Sequence, residues 1–82
     1  MNEAFIIGKV ISKIDYRFII NKKKQFAKAE FLVKVDRQII KVIGYNNIAD
    51  YCLKYLKEND NVCIHGKIFS KYYIDIKELS II

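Results

Sequence analysis

QIIKVIGYNNIADYCLKYLKENDNVCIHGKIF, residues 38–69, changes its hydrophobic period twice. Gln38-Ile39-Ile40-Lys41-Val42-Ile43-Gly44-Tyr45 is an apolar run rich in β-branched residues, the composition of a strand. After Tyr45 the period becomes helical. Ile48, Cys52, Tyr55 and Leu56 share one face, with Lys54, Lys57 and Glu58 on the other. Asn46 or Asn47 can cap this helix by accepting from a backbone N–H of its first turn, and Asn59-Asp60-Asn61 stops it. Period two then returns, with Val62, Ile64, Gly66 and Ile68 inward and Cys63, His65, Lys67 and Phe69 opposite. Strand, short helix and strand are expected in that order.

Upstream, Asp36-Arg37 leaves room only for a hairpin turn, so residues 38–45 pair antiparallel with the strand before them. In that strand Ala27, Ala29, Phe31, Val33 and Val35 alternate with Lys28, Glu30, Leu32 and Lys34. The polar run Asn21-Lys22-Lys23-Lys24-Gln25 reads as a hairpin loop, reached from a long first strand over residues 4–14 that continues through 16–20. Near its start this strand is apolar on both faces, Ala4, Ile6 and Val10 against Phe5, Ile7 and Ile11, which predicts cover from two sides. Downstream, a tight connection at Ser70-Lys71 leads into a last strand, 72–82. Its apolar set passes from Ile74 and Ile76 to Leu79 and Ile81, a phase change that places a bulge at Lys77-Glu78. Five strands, the first long and bent, with a helix between the third and fourth, match one OB-fold domain over residues 1–82, an all-β Greek-key barrel. An SH3-like barrel does not account for a helix at that place. Gly8, Gly44 and Gly66 each lie within or at the end of a strand, where closing a small barrel needs sharp bends.

Composition narrows the function. Eighty-two residues, 52% apolar and 29% charged, suit one globular domain with a modest core. No proline and three glycines exclude collagen-like and proline-rich classes. No apolar run approaches the roughly 18 residues of a membrane span. Ala4-Phe5-Ile6-Ile7 is too short for a signal-peptide core, so a cytoplasmic protein is expected. A net charge of +6 attracts polyanions, nucleic acid foremost. Lys, Ile, Asn and Tyr make up half the chain, however, and their codons are all rich in A and T. Cys52 and Cys63 lack the C-x-x-C spacing, and Cys63 with His65 supplies only two ligands, so no metal or cofactor is expected. One histidine, no partnered nucleophile, and carboxylates dispersed at Asp15, Glu30, Asp36, Asp50, Asp60 and Asp75 argue against catalysis.

Several segments share an order with a known family. Phe5-Ile6-Ile7-Gly8-Lys9-Val10 resembles the opening strand of bacterial single-stranded DNA-binding proteins, and Lys41-Val42-Ile43-Gly44 resembles their third strand. Tyr55-Leu56-Lys57-Glu58, then Asn61-Val62-Cys63-Ile64-His65-Gly66-Lys67-Ile68, is similar to their helix end and fourth strand. Lys77-Glu78-Leu79-Ser80-Ile81-Ile82 is similar to the close of their last. The resemblance implies a homo-oligomer, dimer or tetramer, that binds single-stranded DNA. The chain departs from the family in having no tryptophan to stack bases, Arg37 and Ile43 where aromatics are common, shorter hairpins and about two extra residues before the helix. The family's acidic C-terminal tail, which recruits replication proteins, has no counterpart, so a minimal or divergent member is implied.

Sequence-independent single-strand binding needs cations that track phosphates and flat side chains that stack bases. The outward face of the second and third strands offers Lys28, Lys34, Arg37, Lys41 and Tyr45. The flanking loops add Lys22, Lys23, Lys24 and Phe26 on one side, and Phe69, Lys71, Tyr72 and Tyr73 on the other. Tyr72 and Tyr73 point to opposite faces, so one stacks while the other packs. Phe5, Ile7 and Ile11 exceed what one small barrel buries and point to a homo-oligomer. An RNA-binding OB-fold and a protein–protein adaptor of a replication or recombination complex are the alternatives.

Overall fold

The computed structural model describes residues 2–82. Its elements are β1 (Glu3–Val10), β2 (Asp15–Ile20), β3 (Gln25–Val35), β4 (Gln38–Tyr45), α1 (Asn47–Tyr55), β5 (Asn61–Ser70) and β6 (Tyr73–Ile81). They form one sheet in the order β1-β5-β6-β4-β3-β2, and a further pairing of β1 with β3 closes it on itself. The β4–β6 pair is parallel and all others are antiparallel. Five strands thus make a closed barrel, with α1 between β4 and β5 as expected. Closure removes the edges that an open five-stranded sheet would expose.

The expected long first strand is two strands on one path. β1 follows β5 from Glu3↔Lys67 to Lys9↔Asn61, then turns onto β3 at Lys9↔Lys34 and Val10↔Val33. Residues 11–14 form a corner rather than a strand. There Ile11 N donates to the Leu32 carbonyl at 2.9 Å, and Leu32 N donates to Ser12 Oγ at 2.8 Å. The chain resumes along the same side of β3 as β2, from Asp15↔Glu30 to Ile20↔Gln25, and the tip of this hairpin arm runs past the end of β4, which pairs with β3 only from Lys28 onward. Gly8 sits at the closure. A Cβ there would run into the Lys34 carbonyl oxygen and lie 2.7 Å from Val33 Cγ1. The expected bulge is present: Lys77 is skipped between His65↔Glu78 and Gly66↔Ile76. A second irregularity sets Phe69 outside the ladder between Ile68↔Ile74 and Ser70↔Tyr73.

Inside the barrel Val10, Ala29, Val33, Val42, Val62 and Ile64 are inaccessible to solvent, and Phe31, Ile74 and Ile76 are nearly so. Helix α1 packs across β3, β4 and β6 and closes one end with Ala49, Cys52 and Leu56. Two expectations about this helix are corrected. Tyr55 is exposed, paired with Tyr51 at 5.0 Å between ring centroids, and Ala49 takes the inward position. Asn46 holds the cap position but its side chain makes no cap bond. Its φ of 54° turns the amide back to β3, where Oδ1 accepts from Ala27 N at 3.3 Å and its own N–H donates to the Ala27 carbonyl at 2.9 Å. The expected stop holds: Lys57 N donates to Asp60 Oδ2 at 2.9 Å, and Asn59 N to the Val10 carbonyl at 2.8 Å. No helix among the described residues is long and apolar enough to cross a membrane.

Candidate functional site

Strand parity decides which side chains face away from the core. With Ala27, Ala29, Phe31 and Val33 inward, Phe26, Lys28, Glu30, Leu32 and Lys34 of β3 face outward. On β4 the outward set is Ile39, Lys41, Ile43 and Tyr45. Register arranges these residues in rows across the sheet. Arg17, Lys28 and Tyr45 form one row, and Asp15, Glu30, Ile43 and Asp75 the next. Leu32, Lys41 and Tyr73 follow, then Lys34 with Ile39.

A line of aromatic rings crosses this face. Phe26 and Tyr45 lie 6.1 Å apart between centroids, tilted by 56°. Tyr73 neighbours Tyr45 and meets Phe69 edge-on at 5.7 Å. Burial foremost, then neighbouring Tyr45, Asp75 and Glu30, pushes the Tyr73 phenol above its ordinary value, so it stays a neutral donor at physiological pH. Ile43 is only 2% exposed although its parity turns it outward. The two tyrosines flank it, on an apolar floor.

Cations stand at both ends of the line. Lys23 and Lys24, with Phe26, Tyr45 and Asn46, border an open pocket of ≈ 640 Å³. The turn that carries them is fixed by Asn21, whose Oδ1 accepts from Lys23 N at 3.0 Å and Lys24 N at 2.8 Å. At the other end Lys67 Nζ lies 5.5 Å from the Phe69 ring centroid, and Lys71 Nζ 5.4 Å from that of Tyr72. Lys28 and Lys41 both lean on Glu30, at 3.3 and 3.8 Å. Burial pushes the Asp75 carboxyl above its usual range, against the opposing pull of Lys67 and Lys77.

The structure therefore gathers Lys23, Lys24, Phe26, Lys28, Lys41, Tyr45 and Tyr73 on one surface, with Lys71 and Tyr72 at its β5–β6 margin. Tyr72, in the turn, is exposed, and Tyr73, the first residue of β6, is half-buried. Two expected residues lie apart from the ring line. Lys22 is at the tip of the β2–β3 arm, and Arg37 occupies the β3–β4 turn. Lys34 faces outward in the row beside that of Leu32, Lys41 and Tyr73, opposite Ile39 and at the other end of the face from Phe26. Two cations escaped the sequence reading. Arg17 faces the site because β2 pairs with β3 in the register Arg17↔Lys28; the hairpin loop at residues 21–25 implied the pairing but not which face Arg17 takes. Lys67 was legible in its i, i+2 spacing to Phe69.

No family model and no curated protein matches the sequence. Solved structures match its fold. The SSB domain of a Synechococcus sp. protein is similar with a TM-score of 0.82 at 18% identity, over 96% of this chain and 93% of that one. The chain has the OB-fold. A second similar structure is the second OB-fold domain of replication protein A from Methanococcus maripaludis, with a TM-score of 0.81 at 19% identity over 98% and 83% of the two chains. The single-stranded DNA binding protein from Thermus aquaticus has a TM-score of 0.84 at 13% identity, and this OB-fold covers 40% of its length. At such identities the likeness carries the fold, and the site must be argued from its own residues.

Proposed function

We propose that this OB-fold binds single-stranded DNA, without catalysis and without a required sequence. The observation that carries the reading is the ring line Phe26, Tyr45, Tyr73 and Phe69, with lysines at both ends. Each exposed ring offers a face to a base, and Lys23, Lys24, Lys67 and Lys71 stand where a backbone passing over the line would carry its phosphates. The three similar structures are an SSB domain, a replication protein A domain and a single-stranded DNA binding protein, which supports the same reading. With tyrosine and phenylalanine in place of tryptophan, affinity is modest and salt-sensitive.

Titration of a labelled oligo-dT at several salt concentrations tests this. Each phosphate neutralised on a single strand contributes about −0.7 to the slope of log K against log salt. Saturable binding with a slope of several contacts is expected, with little affinity for duplex. Tyr45→Ala is expected to weaken it by about 1–3 kcal/mol, the worth of one stacked base. Tighter binding of a matched RNA moves the assignment to RNA. No binding to either at low salt overturns it in favour of the adaptor role.

A homo-oligomer is the second part of the proposal. The outward face of β1 carries Phe5 at 75% and Ile7 at 66% exposure, beside half-buried Cys63 of β5. Phe5 lies flat on His65, centroids 4.3 Å apart, and Glu3, Lys77 and Glu78 form a charged rim. An apolar centre within a polar rim is the anatomy of a protein–protein interface. A second copy of the chain supplies a self-complementary partner for it.

A further inference from the structure

We propose that Glu30 makes this face favour bases that bear an amino group, cytosine above thymine, by accepting from that group and by keeping phosphates off the middle of the sheet. The inference rests on the single-strand reading above. Glu30 lies at the centre of the outward surface, its side chain 23% exposed, with Oε1 3.3 Å from Lys28 Nζ and Oε2 3.8 Å from Lys41 Nζ. In register it is opposite Asp15 on one side and Ile43 on the other, and Ile43 is opposite Asp75. The row's own side chains across β2, β3, β4 and β6 are therefore acidic or apolar from end to end, with Arg17 held against Asp15 and Lys28 and Lys41 against Glu30 from the rows beside it. A phosphate chain laid along it meets like charge, whereas to either side it meets lysine. The backbone is thereby directed around the row, and the bases turn onto it.

What a base meets there is chemically selective. Beside Glu30 a shallow pocket of ≈ 400 Å³ is bordered by Ser12, Lys13, Asp15, Leu32 and Lys41, with Leu32 presenting an apolar surface to a ring. An ionised carboxylate accepts hydrogen bonds and cannot donate them. Cytosine offers an N4 amino donor to it, while thymine presents its O4 acceptor at the same place. Cytosine's amino group meets the carboxylate favourably, whereas thymine can set only its N3–H against the repulsion of the adjacent O4. Stacking on Tyr45 and Tyr73 does not distinguish the two in this way, so the bias belongs to Glu30. No defined sequence is needed for it, only base composition.

The test compares oligo-dC with oligo-dT at one salt concentration and neutral pH, for the wild-type chain, Glu30→Gln and Glu30→Ala. The decisive quantity is the ratio of the two affinities within each protein, which cancels intrinsic differences between the oligomers. Both substitutions are expected to move that ratio toward dT by about fivefold or more, the low end for a specific base contact. Both are also expected to tighten dT binding outright, since Lys28 and Lys41 are released to phosphate. Glu30→Ala separates loss of the acceptor from the new donor that glutamine brings. A ratio unchanged by both variants, or moved toward dC, overturns the inference and leaves single-strand binding intact. Wild-type protein that binds neither oligomer overturns the single-strand reading, and the inference falls with it.

Discussion

At Cys52 the thiol is shut beneath α1 with no exposure, and burial pushes its pKa from 9.0 up to about 11. Between those values the unfolded chain has released the proton and the folded chain still holds it. The folded state binds more protons, so stability falls as pH rises through this window and is fully present below it. Two units correspond to roughly 2–3 kcal/mol. The Tyr16 phenol, raised by its hydrogen bond to Asp50, and the Tyr73 phenol, raised by burial, act in the same direction. The melting temperature followed by circular dichroism is therefore expected to fall from about pH 9 to 11, and less steeply in Cys52→Ala. Equal slopes in both proteins assign the alkaline loss to the tyrosines alone. Single residues are also where the sequence was least legible. Asn46 reads as a helix cap because Asn commonly is one, yet a positive φ and a β3 partner far along the chain claim its amide. Glu30 reads as one more polar residue on an alternating strand, and only register shows two lysines and two other strands converging on it.

Elements follow from the sequence wherever one periodicity dominates. The hairpin of β3 and β4, the helix after it and the bulge at Lys77 are all phase statements, and phase is what the spacing of apolar residues records. The corner at residues 11–14 escapes because β1 is apolar on both faces, so Ile11 and Ile14 fit either side and leave no phase to break. Ser12 marks it, its Oγ accepting from Leu32 N where a strand partner is missing. The corner matters for the site, since it carries β2 onto β3 and brings Arg17 and Asp15 to the outward face. Closure just before the corner depends on Gly8, whose missing Cβ lets β1 approach the Lys34 carbonyl. Gly8→Ala forces that contact apart. A destabilisation of about 1–3 kcal/mol is expected, the usual cost of overpacking a close-packed site. Urea denaturation measures it as a lower midpoint at unchanged m-value. An unaltered midpoint shows that β1 can shift along β3 without loss, contrary to the tight closure seen here.

On the scale of the whole molecule two surfaces lie on different strands of the barrel. The ring line belongs to β3, β4, β6 and the end of β5, whereas Phe5 and Ile7 belong to the outward face of β1. The net charge of +6 acts over the whole body and assists approach of a polyanion. It also opposes association of like copies, so a homo-oligomer needs an apolar contact strong enough to outweigh it. Phe5 and Ile7 offer that contact on a strand outside the ring line, so the proposed oligomer would leave each copy's ring line to DNA. Affinity then gains from linkage, because the second site binds at the effective concentration set by the first. Ile7→Lys separates the two surfaces. Its side chain stands in solvent in the single chain, so folding is expected to survive, while a charge at the centre of the contact abolishes association. Sedimentation velocity is expected to show an oligomer for the wild type and a monomer for Ile7→Lys. The monomer is expected to retain oligo-dT binding to a strand short enough for one barrel and to lose affinity for a longer one. A wild-type chain that sediments as a monomer at all concentrations removes the β1 contact from the proposal. Loss of short-strand binding in Ile7→Lys instead means that the β1 face itself takes part in holding DNA.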